Sequence, residues 1–140
     1  MYRLLLVEDN QETAEFVKQA FEMENMIVDV ACDGQAGLDQ FFKQEYDLVI
    51  LDLEMPKMNG EELLIKLRNA NPYIDIIVYT NYAEFGDIKK LVNLGINGYV
   101  NKGPNAELKE LINMVKSKLE PMSEDEVKNL VNNTETMRTE

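Results

Sequence analysis

Histidine and tryptophan are absent from this 140-residue chain, and cysteine occurs once, as Cys32. Without an imidazole the chain has no Ser-His-Asp or Cys-His nucleophile system, no histidine-ligated metal and no phosphohistidine of its own. One cysteine cannot close an internal disulfide, which fits the cytoplasm, and Cys32 is expected to be a small buried hydrophobe. No apolar run approaches the ~20 residues of a membrane span. The N-terminus has no basic segment followed by an apolar run and a cleavage site, so no secretory signal is expected. Basic residues are also scarce, 14 against 26 acidic ones, a formal net charge of −12. That balance argues against direct contact with nucleic acid or an anionic membrane, and its simplest meaning is solubility.

What the chain does have is an alternation. Tyr2–Val7 reads as a strand, followed by a helix from about Asn10 to Met23 with Ala14, Val17, Ala20 and Phe21 as its apolar stripe and Asn10 as its cap. A short strand over Ile27–Val30 precedes the turn signal Asp33-Gly34, then a helix to about Glu45 with Leu38, Phe41 and Phe42 facing inward. The run Leu48-Val49-Ile50-Leu51, four branched apolar residues, is a strand buried on both faces, the kind found in parallel sheets. A helix over about Glu61–Asn69 buries Leu63, Leu64 and Leu67 and is stopped by Asn71-Pro72. Strand Ile74–Tyr79 is followed by a helix over about Asp87–Leu94, using Ile88, Leu91 and Val92 and ended by Gly95 as a left-handed cap. Strand Gly98–Val100 precedes a last helix from about Asn105 to Leu119. Five strands alternating with five helices predict a doubly wound parallel sheet, since right-handed crossovers place helices on both faces.

The ends of the strands carry the chemistry. The first ends in Glu8-Asp9, the third in Asp52, the fourth in Thr80 and the fifth near Lys102. In an open α/β sheet these fall on one rim, where such folds place their sites. Taken singly, each has a plain structural role. An acid after a strand caps a turn, Glu8-Asp9 complements a helix dipole, and Thr80, Lys102 and Tyr99 are cap, solvated charge and packing. Those roles do not account for two acidic strand ends, a hydroxyl and a lysine on the same rim. Crowded carboxylates call for a cation, and oxygen donors favour Mg²⁺.

The strings Leu6-Val7-Glu8-Asp9, Asp47-Leu48-Val49-Ile50-Leu51-Asp52, Met55-Pro56-Lys57-Met58-Asn59-Gly60, Val78-Tyr79-Thr80 and Gly95-Ile96-Asn97-Gly98-Tyr99-Val100-Asn101-Lys102 resemble the receiver domain of two-component response regulators over roughly residues 1–119. The resemblance implies a flavodoxin-like fold, five parallel strands in the order 2-1-3-4-5 flanked by five helices. It implies that Asp52 is the phosphoacceptor, taking a phosphoryl group from a histidine kinase or phosphotransfer protein. Mg²⁺ is then held by Asp9, Asp52 and the Glu54 backbone carbonyl, with Glu8 acting directly or through water. Lys102 pairs with a phosphoryl oxygen, Thr80 donates its hydroxyl to another, and Tyr99 switches rotamer. The module is then not a metabolic enzyme. Its output is protein contact through the fourth helix, fifth strand and fifth helix, with Tyr82, Phe85, Lys89, Lys90, Tyr99 and Lys109 as candidates, and a homodimer is compatible with it.

Several positions depart from the family. Lys102-Gly103-Pro104 stands where the family has lysine followed directly by proline, and Asn81 follows Thr80 where alanine or glycine is usual. Glu54 and Tyr82 occupy positions that in this family tune hydrolysis of the acyl phosphate. Gly37 lies inside a helix, at a cost of roughly 1 kcal/mol against alanine. After Leu119 the chain changes character. Pro121 breaks the helix and Ser123-Glu124-Asp125-Glu126 reads as a capping box for a short helix carrying Val127, Leu130 and Val131. Residues 120–140 are therefore expected to be a tail or linker, mobile over Asn132–Glu140. Three alternatives stand beside the phosphoacceptor. A degenerate receiver would bind proteins without phosphorylation. An aspartate-nucleophile phosphatase of the haloacid dehalogenase type usually has a second Asp where this chain has Glu54. A flavodoxin-like flavin binder would have to tolerate Glu8-Asp9 near the flavin phosphate.

Overall fold

The computed structural model describes residues 1–54, 58–81, 85–102 and 106–120, the side chains of 85–87, 106 and 107 excepted. Five strands and five helices alternate: β1 (Arg3–Val7), α1 (Gln11–Glu22), β2 (Ile27–Ala31), α2 (Gly34–Lys43), β3 (Leu48–Leu51), α3 (Gly60–Ala70), β4 (Asp75–Thr80), α4 (Phe85–Leu94), β5 (Gly98–Asn101) and α5 (Ala106–Leu119). The sheet is wholly parallel in the order β2-β1-β3-β4-β5, as the resemblance implies.

Both faces of the sheet are covered, and the strand sequences explain why. Leu48–Leu51 and Leu4–Val7 are almost fully buried, so alternate residues of each strand feed opposite layers. Leu4, Leu6 and Ile50 pack with Ala14, Val17 and Phe21 of α1 and with Leu111 and Val115 of α5. Leu5, Val7, Val49 and Leu51 pack with Leu63, Leu64 and Leu67 of α3 and Leu91 of α4.

The helix starts are made by side chains. Asn10, Asp33 and Asn59 each accept a backbone N–H three residues on, at 2.8 to 2.9 Å, which satisfies donors the helix cannot. α4 ends at Gly95 with φ +103°, the left-handed cap expected there. Arg68 of α3 reaches that cap, donating to Gly95 O at 2.7 Å and to Asn97 Oδ1 at 2.5 Å.

Three expectations need correction. Phe42 is 68% exposed, because the buried stripe of α2 runs through Gly34, Gly37 and the half-buried Phe41, and Phe42 falls off it. Val92 is 58% exposed for the same reason, since Leu91 takes the inward position of that turn. Cys32 is exposed rather than buried. It follows the buried Ala31 at the end of β2, an edge strand, and alternation turns it to solvent.

Candidate functional site

Register brings the acids together. Val7 pairs with Leu51 across the β1–β3 ladder, so Glu8 and Asp52 leave the sheet side by side. The Asp52 N–H donates to Val7 O at 3.0 Å and the Glu8 N–H to Ala31 O at 3.0 Å, fixing both main chains as they pass the rim. Glu8, Asp9 and Asp52 each offer a carboxylate oxygen, and the three lie within 4.8 Å of one another. Glu8 is 3% exposed and Asp52 5%, whereas Asp9 faces solvent. The Glu54 N–H donates to Asp52 Oδ1 at 3.1 Å, orienting that carboxylate from the loop side.

The other half of the site comes from the β4–β5 pair. Thr80 stands opposite Asn101, and the Lys102 N–H donates to Thr80 O at 3.0 Å. From there Lys102 Nζ reaches across the rim, donating to Glu8 Oε2 at 2.6 Å and to Asp52 Oδ2 at 2.9 Å. The ammonium also lies 5.6 Å from the centroid of the Tyr79 ring, within reach of a cation–π contact. Thr80 is fully buried beside this group. Tyr99 is half-buried against the α3–α4 side of the core, with its hydroxyl buried and without a hydrogen-bond partner among the described residues.

The two inner carboxylates are pushed apart electrically. Burial, reinforced by the neighbouring Asp52, outweighs the Lys102 hydrogen bond and raises Glu8 to about 7. Burial acts on Asp52 too, but hydrogen bonds from Glu8, Lys102 and the Glu54 amide overcome it and hold Asp52 below the ordinary carboxylate value. Burial opposes the charge on Lys102, and its two carboxylate partners outweigh that and raise it. Near neutrality Asp52 is therefore an ionised, buried carboxylate at the sheet rim, with an ammonium 2.9 Å away. A buried anion so placed is a candidate nucleophile.

The structure thus gathers Glu8, Asp9, Asp52, Thr80 and Lys102 at one rim, and Glu54 joins through its backbone. Asn81, after Thr80, is exposed, as are Lys89, Lys90 and Lys109 on α4 and α5. Met55–Lys57, Tyr82, Gly103-Pro104, the Phe85 side chain and residues 121–140 lie outside the described residues, and with them the readings placed there. Two residues were not singled out in the sequence: Tyr79, which lies against the site, and Asp33, as the cap of α2. Tyr79 under Lys102 looked like an ordinary strand aromatic. Asp33, buried at the start of α2, was read only as a turn, although an Asp directly before a helical pattern is also a capping signal.

The profile described as the response regulator receiver domain matches residues 4–116. The response regulator ArlR of Staphylococcus epidermidis is 33% identical over 127 residues, covering 91% of this chain and 57% of that protein. ArlR of Staphylococcus aureus is 37% identical over 102 residues, 73% of this chain and 46% of that protein. This chain therefore spans about half the length of the curated relatives it matches. Among solved structures, the response regulator TrrA of Thermotoga maritima, in complex with Mg²⁺-BeF, has a TM-score of 0.77 at 34% identity, covering 85% of this chain and 100% of that one. A CheY-like receiver domain protein of Methanospirillum hungatei has a TM-score of 0.80 at 29% identity, over 86% and 94%.

Proposed function

The chain belongs to the response regulator receiver domain family of two-component systems, a signalling module rather than a metabolic enzyme, and from that premise we propose that Asp52 accepts a phosphoryl group from a phosphohistidine on a partner protein. The observation that carries this reading is Asp52 itself, buried yet ionised, hydrogen-bonded to Lys102 and to the Glu54 amide at the sheet rim. With no histidine in the chain, the donor imidazole belongs to a histidine kinase or phosphotransfer protein. An Asp52 oxygen attacks phosphorus, the N–P bond breaks as an O–P bond forms, and the imidazole leaves and takes up a proton.

The residues present fit Mg²⁺. Three carboxylates converge within 4.8 Å, all donors are oxygens, and the fold already places one cation, the Lys102 ammonium, among them. Asp9 and Asp52 would hold the ion with the Glu54 carbonyl, and Glu8 directly or through water. Bound there, Mg²⁺ neutralises charge on the transferring phosphoryl oxygens. Lys102 moves from its carboxylate partners to a phosphoryl oxygen, and Thr80 turns its hydroxyl to another. These two contacts reset the β4–α4 loop and Tyr99, and so the α4–β5–α5 face through which the signal leaves.

Intact mass after incubation with acetyl phosphate, with and without Mg²⁺, tests this. One Mg²⁺-dependent phosphoryl group, absent in Asp52→Asn, is the expected result. A folded protein that gains none is instead a degenerate receiver acting by binding alone. Stoichiometric labelling of Asp52→Asn overturns the choice of nucleophile.

A further inference from the structure

The start of α2 lies against both chain segments that carry the acids. Gly34, the first residue of α2, backs directly onto Met58 in the loop that follows Asp52. A Cβ placed there would come closer than 3.0 Å to both the carbonyl oxygen and the Cβ of Met58. One turn on, a Cβ at Gly37 would meet a methyl of Val7, the residue before Glu8, at 2.9 Å. Met58 is buried, and so is Asp33, whose side chain accepts the Ala36 N–H at 2.8 Å and whose carbonyl accepts the Gly37 N–H at 2.9 Å. At the far end of the same loop, Gly60 sits on Asp52 and Leu53, its N–H donating to Leu53 O at 3.2 Å. The described ends of the β3–α3 connection are thus supported by Gly60, which packs on Asp52 and Leu53, and by Gly34, which packs on Met58.

We propose that Gly34, held by the Asp33 cap, is a positioning residue for the chain that follows Asp52: its bare backbone is the seat that sets where Met58 comes to rest, and with it Gly60, which packs on Asp52 and Leu53 just before Glu54. The two glycines make different contacts. At Gly37 the obstacle is the end of a valine side chain, which rotates or shifts. At Gly34 it is a backbone carbonyl of the loop, and only movement of the loop relieves it. The proposal rests on the reading of Asp52 and its neighbours as the Mg²⁺-dependent phosphoacceptor, and it explains the buried Asp33 and the glycine that follows it.

The test compares Gly34→Ala with Gly37→Ala in the full chain. Mg²⁺ alone is titrated and followed by the amide resonances of Leu53 and Glu54, and acetyl phosphate labelling is timed at saturating Mg²⁺. Gly34→Ala is expected to weaken Mg²⁺ binding about tenfold and to displace the Glu54 amide before any metal is added, the scale on which supports behind a metal ligand act. Gly37→Ala is expected to lower thermal stability yet keep Mg²⁺ affinity within about twofold of the parent. Equal Mg²⁺ affinity in Gly34→Ala and the parent overturns the proposal. If Gly34→Ala does not fold, Asp33→Ala and Asp33→Asn decide. Loss of Mg²⁺ affinity in the first, restored in the second that keeps the cap, supports the seat; parent-like affinity in both overturns it. A parent protein that takes no phosphoryl group refutes the phosphoacceptor reading instead, while the Mg²⁺ comparison still judges Gly34.

Discussion

Lys102 and Glu8, 94 residues apart in sequence, meet at 2.6 Å, and the same ammonium reaches Asp52 at 2.9 Å. The lysine is thus the resident cation of an acidic cluster. It neutralises charge that three neighbouring carboxylates would otherwise leave uncompensated.

Lys102→Met removes that cation and keeps most of the stem's packing. The metal-free protein should lose about 2 kcal/mol, less than a fully buried pair because Glu8 can take up a proton. Mg²⁺ binding should tighten, since the ion no longer displaces an ammonium, and phosphorylation-dependent change at Tyr99 should be lost. Urea unfolding with and without Mg²⁺, and the Tyr99 ring resonances, read these effects.

Glu8 gives the pH dependence. Its folded value of about 7 lies above the ordinary 4.5. The folded state therefore holds the extra proton between these limits, and stability falls as pH rises from about 4.5 through 7. Urea midpoints of the metal-free protein should drop across this interval, and Glu8→Gln should remove that drop. A slope unchanged in Glu8→Gln assigns it to another group.

Two tyrosines should respond oppositely to loss of the hydroxyl. The Tyr99 hydroxyl is buried without a partner among the described residues, so Tyr99→Phe should be neutral or stabilising by about 1 kcal/mol. The Tyr46 hydroxyl donates to Asp29 at 2.7 Å and accepts from Gln40 at 2.8 Å, so Tyr46→Phe should cost about 1–2 kcal/mol. Paired chemical denaturation curves check the sign.

Gly95→Ala should destabilise by about 1–2 kcal/mol, because φ is +103° and the added Cβ comes 3.0 Å from Arg68 Nε. Arg68→Ala in the same background should relieve the contact but not the backbone strain. A recovery of less than half the loss in thermal unfolding is the expected outcome.

The strand–helix alternation and the rim residues were legible because apolar periodicity and strand ends are local properties. Leu48–Leu51 read as a doubly buried strand, and the structure places it in the middle of the sheet. The Lys102–Glu8 contact was not legible, since it depends on two strands being placed by the whole topology. Phe42 was misplaced because Leu38 and Phe42 fit a helical stripe as well as Gly34, Gly37 and Phe41 do. Glycines carry no apolar signal, so Gly34 and Gly37 were invisible to periodicity, whereas Leu38 and Phe41 do pack against the core as read. The same blindness hides the reason for Gly37, where a Cβ would meet the Val7 side chain.

The order of the strands also bears on how the site comes into being during synthesis. β1 and β3, which carry Glu8 and Asp52, are complete once residue 52 has emerged, whereas Lys102 arrives only with the edge strand β5. A growing chain therefore carries its rim carboxylates before their internal counter-ion has been made. Until then only protons or dissolved cations can offset those carboxylates, and the edge strand added last is also the one that neutralises them.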